Sequence, residues 1–254
     1  MREWILSRNA VAETLRARRR DFFRLWVAEG LPEQSRLEDI FRLATACKLR
    51  LERVPRHKLD ALGAGHQGVA LEASYYPYSA LPDMLELAAE RREPPFLLIL
   101  DILQDPQNLG VLLRTAEAVG VHGILLPFRR TATVTPAVVN TSSGATEHLL
   151  IAQTNLAQAI GTLKEQGVWV AGLEGSPQAQ PIDQVRLDGP LALVVGGEGE
   201  GMRPLTRRSC DVLVSLPMRG HIQSLNAAVA ASVALYFAWK GRGWSSQLDD
   251  LAET

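Results

Sequence analysis

The residues best suited to chemistry fall in three short, widely separated segments. In DILQDPQNLGVLLRTAEAVG, residues 101–120, a proline-containing loop leads into a helical pattern, and Arg114 follows Asn108 by six residues. An arginine one to two turns into such a helix can point back over the strand ends, where open α/β sheets bind ligands. Its planar fork suits a phosphate oxygen or a ribose hydroxyl. The competing reading is a surface pair with Glu117, three residues on. In LALVVGGEGEGM, residues 191–202, an apolar run enters a glycine-rich loop carrying Glu198 and Glu200. Glycines let backbone amides approach a ligand closely, but the run fits G-x-G-x-x-G in no register. Two carboxylates would repel a pyrophosphate, so a neutral or cationic ligand suits the loop better; a plain tight turn with solvated acids is the alternative. In LPMRGHIQSLNAAVA, residues 216–230, a polar loop delivers Ser224 and Asn226 to the start of an alanine-rich helix. Ser224 reads as an N-cap. Asn226, on an otherwise apolar helix, needs a partner, because an unpaired buried amide costs about 1–3 kcal/mol. That partner is either a bound substrate or cofactor group or a neighbouring backbone.

These segments need a frame, and the apolar pattern supplies one. From Phe96 onward FLLILDIL, GILLPF, WVAGL, LALVVGG and VLVSLP are apolar along their whole length, as expected of strands covered on both faces. Helical patterns over Leu109–Val119, Asn155–Gln166 and Leu225–Trp239 lie between or after them. The alternation predicts an α/β domain with a mainly parallel sheet over residues 95–254. The last helix is apolar almost all round and rich in alanine, which predicts burial on several sides. Residues 1–75 form a separate small α/β pattern, with helices expected over Asn9–Arg19 and Leu37–Lys48 and strands over Phe23–Ala28, Leu49–Val54 and Gly68–Ser74. Between them, in YYPYSALPDMLELAAERREPP, four prolines bracket a charged helical stretch, the mark of a linker placed at residues 76–94.

Composition narrows the classes further. The chain has 254 residues, 46% hydrophobic and 22% charged, which is globular. Net charge is −1, yet residues 1–75 carry 14 basic and 10 acidic residues and are net positive, while the remainder is net negative. Such asymmetry points to a nucleic-acid-binding arm, with Arg16, Arg18, Arg19 and Arg20 its sharpest cluster; cations complementing a helix C-terminus are the bland alternative. Cys47 and Cys210 belong to no C-x-x-C pair, which argues against a disulfide framework or zinc site and for a reducing cytoplasm. The N-terminal MREWILSRNAVAETL has helical patterning and no apolar core before a small-residue cleavage site, so no signal peptide is expected. No apolar run is long enough to cross a bilayer. The five histidines show no metal-ligand spacing, and neither a G-x-S-x-G elbow nor a Walker A segment is present.

Together the three segments resemble the signature motifs of the SpoU/TrmH family of RNA 2′-O-methyltransferases, of the SPOUT class. The motifs are LDILQDPQNLGVLLRTAEAVGV, LVVGGEGEGM and LPMRGHIQSLNAAVAAS, and PAVVNTSSGATEHL looks like the family's segment between the first two. Gly197, where the family commonly has Ala or Ser, and Ala227–Ala228, in place of Val-Ser, are small departures away from the polar centre. SRNAVAETL and HQGVALEA look like the ends of the substrate-binding domain of the ribosomal-RNA branch, similar in fold to ribosomal protein L30e. The resemblance implies a C-terminal domain tied in a trefoil knot. It implies S-adenosylmethionine as cofactor, held against Gly196, Leu216, Met218 and Leu225, and methyl transfer to a ribose 2′-hydroxyl. It implies a polar centre of Asn108, Arg114, Glu198, Ser224 and Asn226, in which Arg114 either helps remove the hydroxyl proton or holds the adjacent phosphate. It also implies a homodimer, and a guanosine of bacterial 23S rRNA as target, with tRNA the competing substrate; no metal or membrane partner is expected. A nucleotide-dependent oxidoreductase, disfavoured by the missing glycine fingerprint, and a non-catalytic RNA-binding factor of the same fold are the readings from other classes.

Overall fold

In the computed structural model, which describes residues 2–31, 35–197, 199, 201–222 and 224–243, the chain forms two α/β units. The first contains β1 (Arg2–Leu6), α1 (Arg8–Ala17), β2 (Phe22–Ala28), α2 (Ser35–Ala46), β3 (Leu51–Val54), α3 (Arg56–Asp60) and β4 (Val69–Ser74). Its sheet runs in the order β1-β4-β2-β3, with β1 and β2 antiparallel to β4 and β2 parallel to β3. The inward residues Ile5, Leu25, Val27 and Leu71 meet Val11 and Leu15 of α1 and Leu37 and Ile40 of α2 in one core. The N-terminal stretch, expected to be helical, is instead a strand as far as Leu6. Ile5 is buried while Arg2 is exposed and Trp4 partly so, and Ser7, at φ 67°, breaks the chain before α1. Five residues are too few to separate the two periods.

The charged helical stretch expected within residues 76–94 is present and packs on the second unit. Residues 81–90 form α4 (Leu81–Glu90), whose Met84 and Ala88 are buried. Met84 packs over β6 (Gly123–Pro127), where a Cβ on Gly123 would stand 2.2 Å from its sulfur. The proline-rich approach is pinned as well, since Tyr76 OH donates to the Leu149 carbonyl at 2.6 Å and Tyr78 OH accepts from Val134 N at 3.0 Å. Apolar residues on one side of α4 hold it against the second unit.

That unit continues with β5 (Phe96–Asp101), α5 (Pro106–Ala118), α6 (Pro136–Thr141), a 3-10 turn (Ala145–His148), β7 (Ile151–Thr154), α7 (Leu156–Glu165), β8 (Trp169–Leu173) and β9 (Gln180–Pro181). It closes with β10 (Leu191–Gly196), α8 (Pro204–Ser209), β11 (Val212–Ser215) and α9 (Ala227–Gly241). The sheet order is β7-β6-β5-β10-β8-β11-β9, and each pair is parallel. Strands β5, β6 and β10 are buried at every position, which explains their unbroken apolar sequences. From the central pair, β5 connects outward to β6 and β10 to β11 on the other side. The crevice beyond their carboxyl ends is therefore a topological switch point, where ligands bind in such sheets.

The two units share a buried ion pair. Arg20 donates to both Glu147 oxygens, at 2.9 and 2.7 Å, to the Ser74 carbonyl at 3.0 Å, and to Glu3; the Arg20 and Glu147 side chains are both 0% exposed. Burial pushes the Arg20 pKa down, and its bonds to Glu147 and Glu3 more than offset this, so the cation is held firmly. Arg19 is spent the same way, on Tyr76 OH, Ser79 Oγ and the carbonyls of Pro77 and Leu149. This corrects the expectation that Arg19 and Arg20 offer themselves to RNA, since neither guanidinium is free to leave the interface. Arg16 is exposed but paired with Glu13 and Asp39, which leaves Arg18, at the α1 C-cap, as the exposed cation of the cluster with no ion pair among the described residues. Arg20→Ala, which strands Glu147 in the interior, is expected to cost about 3–5 kcal/mol, read as an earlier urea midpoint. The Arg20→Ala/Glu147→Ala double variant is expected to lose less than the sum of the single changes.

Candidate active site

At the end of β5 the side chain of Asp101 is fully buried and accepts two bonds from one residue, Arg203 N at 2.8 Å and Arg203 Nε at 2.6 Å. This charge-assisted pair ties the loop after β10 to the end of β5. Beside it the backbones run almost in contact. A Cβ on Gly196 would stand 2.2 Å from the Gly201 carbonyl carbon, and one on Gly197 would stand 2.1 Å from the Ile102 oxygen. Gly197 and Gly201 exchange backbone hydrogen bonds at 3.2 and 3.1 Å. Ile102 sits at φ 62°, an uncommon position for a β-branched residue and a sign that the surroundings dictate the turn. The expected glycine-rich loop is thus required first by chain packing.

Between these loops lies a cavity of about 690 Å³, walled by Gln104, Asp105, Asn108, Arg130, Gly197 and Gly201 together with Ile102 and Leu103. Its size is ordinary for a cofactor site. Asp105 caps α5 by accepting from Gln107 N at 3.0 Å, and Pro106 takes the first helical position, where a missing N–H costs nothing. That start sets Asn108 on the cavity wall. Asn226 comes to it from the far end of the sequence, its Nδ2 donating to Asn108 Oδ1 at 3.2 Å. The Asn226 oxygen accepts from Ala228 N and Val229 N at 3.0 and 3.2 Å, so Asn226 is the N-cap of α9. This replaces the expectation of Ser224 in that role; Ser224 is exposed two residues earlier. Asn226 is exposed rather than buried, and one side chain both starts the helix and reaches the first segment.

Arg114 is exposed on α5, and its Nη1 donates to Ser143 Oγ at 3.3 Å. The surface pair with Glu117 is not formed, and among the described residues no carboxylate pairs with Arg114. The approach of Ser143 depends on Gly110, where a Cβ would meet Thr141 at 2.6 Å, allowing α5 to lie against α6. Ser143 and Gly144 are consecutive left-handed residues, at φ 56° and 88°. Helix α1 clamps the turn that follows, since a Cβ on Gly144 would stand 2.5 Å from Glu13 Cβ, and His148 Nε2 lies 3.0 Å from Glu13 Oε2.

Of the residues expected at the cofactor, Gly196 adjoins the cavity wall through Gly197. Leu216 packs partly on the core, and Met218 and Leu225 are exposed in the loop before α9; none of these three lines the cavity. Glu198 lies outside the described residues. Sequence reasoning missed Asp101, Gln104, Asp105, Arg130 and Ser143. An acid closing the apolar run FLLILD and the Asp-Pro pair were available signals, whereas nothing local marks Arg130 or Ser143.

The second α/β unit thus combines a parallel sheet with a cofactor-sized cavity at its switch point, and the first unit is clamped to the turn beside Arg114. The SpoU rRNA methylase family model matches residues 95–236, and the model for RNA 2′-O ribose methyltransferase substrate binding matches residues 7–79. The chain is 43% identical over 244 residues to YacO, a TrmH family protein of Bacillus subtilis (strain 168), covering 94% of this chain and 96% of that one. It superposes with a TM-score of 0.79, at 21% identity and over 96% and 92% of the two chains, on the SpoU methyltransferase AviRb from Streptomyces viridochromogenes in complex with AdoMet. A TrmH/SpoU tRNA modifying enzyme of A. aeolicus matches 63% of this chain and 83% of its own, with a TM-score of 0.54 at 25% identity. The chain belongs to the SpoU/TrmH family, and it is an S-adenosylmethionine-dependent RNA methyltransferase. The cavity fits the cofactor's demands in size and in its polar lining, since Asp105, Gln104 and Asn108 suit the cationic groups and Arg130 the carboxylate of such a zwitterion. Gly197→Ala, which must displace the Ile102 carbonyl at a cost of about 1–3 kcal/mol, is expected to weaken S-adenosylhomocysteine binding roughly tenfold in calorimetry.

Proposed function

We propose that the chain methylates a ribose 2′-hydroxyl of RNA, most specifically a guanosine of 23S rRNA, and that Asn108, Arg114, Glu198, Ser224 and Asn226 form its polar centre. The observation that carries this reading is the Asn226–Asn108 hydrogen bond, which joins the first and third segments at the cavity with Arg114 on the same helix as Asn108. When bound, the cofactor would supply a methyl group on a sulfonium, so that the 2′-oxygen bonds to the methyl carbon as the carbon–sulfur bond breaks, the neutral thioether leaves and the hydroxyl proton passes to solvent. Holding the nucleophile in line accounts for much of the rate. The guanidinium of Arg114 is a fork of donors with no acceptor atom, and its partner among the described residues is the neutral Ser143 hydroxyl. It therefore holds the adjacent phosphate and steadies the negative charge growing on the 2′-oxygen. Asn108 and Asn226 fix the ribose edge of the cavity, and Gly196 backs the cofactor through Gly197 on the cavity wall. The N-terminal unit favours rRNA over tRNA, since it corresponds to a substrate-binding model and the matched tRNA modifying enzyme covers less of this chain.

The same proposal includes a trefoil-knotted C-terminal domain, an L30e-like N-terminal fold, a cytoplasmic setting and a homodimer. Support for the dimer comes from an exposed apolar stripe on neighbouring helices, Val111 of α5 with Val229, Val233 and Tyr236 of α9. No helix among the described residues is long and apolar enough to cross a membrane. Arg114→Ala is expected to lower kcat for methyl transfer into rRNA by about 10²–10³-fold while leaving S-adenosylhomocysteine affinity within a few fold. Turnover equal to wild type would sink the assignment of Arg114.

A further inference from the structure

The N-terminal sheet has a second face that its helices leave open. Helices α1 and α2 cover the side bearing Ile5, Leu25, Val27 and Leu71. On the opposite side α3 covers only one end, through Leu59 against Ala28, Val54 and Ala70. The strand registers Trp4↔Glu72, Arg24↔Glu72 and Trp26↔Glu52 place Arg2, Trp4, Arg24 and Trp26 together on the remaining part. A register shift between Phe22 and Arg24 leaves Phe23 as the extra residue of a bulge, and bulges re-aim side chains in this way.

The result is an aromatic cluster interleaved with arginines. Trp4 and Trp26 stand 4.4 Å apart between ring centroids, both only partly buried. The Arg24 guanidinium lies 5.3 and 5.0 Å from their centroids, and that of Arg2 lies 3.8 Å from the centre of Phe23. Trp26 Nε1 donates to Glu52 Oε2 at 3.1 Å, which fixes its ring. Two carboxylates share the face and pair with its arginines, Glu72 with Arg2 at 3.7 Å and Arg24 at 2.9 Å and Glu52 with Arg50 at 3.0 Å. Three cations thus meet two anions and the net charge is positive; the carboxylates are the recessed members. The side chains of Arg2, Arg24 and Arg50 are 56%, 39% and 79% exposed, against 10% for Glu72 and 26% for Glu52. A partner therefore meets cations and ring edges first.

We propose that this face is a stacking platform for single-stranded nucleotides of the RNA substrate, with Trp4, Trp26 and Phe23 contacting bases and Arg2, Arg24 and Arg50 the flanking phosphates. The inference rests on the reading of the chain as an RNA-modifying enzyme. Aromatic rings with interspersed arginines on an open sheet are how unpaired bases are held without reading their sequence. The displayed positive charge selects a polyanion over a protein surface. Phe23, Arg24 and Trp26 lie within the stretch matched by the substrate-binding model, which does not say which surface binds.

The test titrates the full chain with oligouridylate of about 12 nucleotides, within the site sizes of such platforms, and follows tryptophan fluorescence. Methyl transfer into deproteinised rRNA from a strain lacking this activity is measured in parallel. Oligouridylate is expected to quench the wild type, and Trp4→Ser to remove most of the quench. Trp4→Ser is also expected to raise KM for rRNA about tenfold, the worth of one base–ring stack, with kcat at saturating RNA unchanged. Trp4→Phe, which keeps a ring, stays within a few fold and separates stacking from packing. Arg2→Gln/Arg24→Gln should flatten the salt dependence of binding by roughly 0.7 in log–log slope for each cation lost. Unchanged KM and salt slope in folded variants, or no quench by oligouridylate, would overturn the platform. If the wild type binds and quenches as expected but methylates no RNA, the platform stands and the proposed reaction fails.

Discussion

At the carboxyl ends of β5 and β10, two stretches of main chain lie so close that no side chain can come between them. Gly196 meets Gly201 and Gly197 meets the Ile102 carbonyl at distances that exclude a Cβ. Most of the site follows from that contact. It fixes where the loop after β10 runs, and the Asp101–Arg203 pair locks the position with a buried charge that has its partner in place. The cavity is the space left beside the crossing, and α5 starts at its rim because Asp105 and Pro106 form a good helix start there. A wall made of backbone presents carbonyls and amides at fixed positions, so little must be reorganised when a polar ligand arrives.

How much of this was legible depended on how local its causes are. The central strands could be read because burial on both faces makes them apolar throughout. Strand β7 and helices α6 and α8, of four to six residues, were not read, being too short to display a period. The first strand was misread for the same reason. Asn226 was recognised as a residue needing partners, but its capping role was given to Ser224, since either can accept from a helix N-terminus and only the path of the preceding loop decides. The arginine run near residue 18 was visible as charge, whereas its meaning was not. Arg20 finds Glu147 at a separation of 127 residues, and no pattern within the first unit announces that partner. Arg130 reaches the cavity from the loop after β6, with no sign in its neighbours.

The N-terminal unit presents different surfaces to different tasks. One sheet face is closed by α1 and α2, and α1 in turn presses on the turn that supports Arg114. The edge strand and Arg20 seal the joint with the second unit. The remaining face keeps its rings and cations toward solvent. A small domain with one well-filled core can carry such an open face because its stability is drawn from the other side.

The Arg20–Glu147 pair has a further meaning for how such chains change over generations. Each member is costly without the other, so neither unit can drift or be replaced alone at that point. A transplanted N-terminal unit would bring its own residue opposite Glu147 and its own helix against Gly144. Grafts between relatives are then workable only when donor and host match at this joint, and inheritance treats the two units as one linked block.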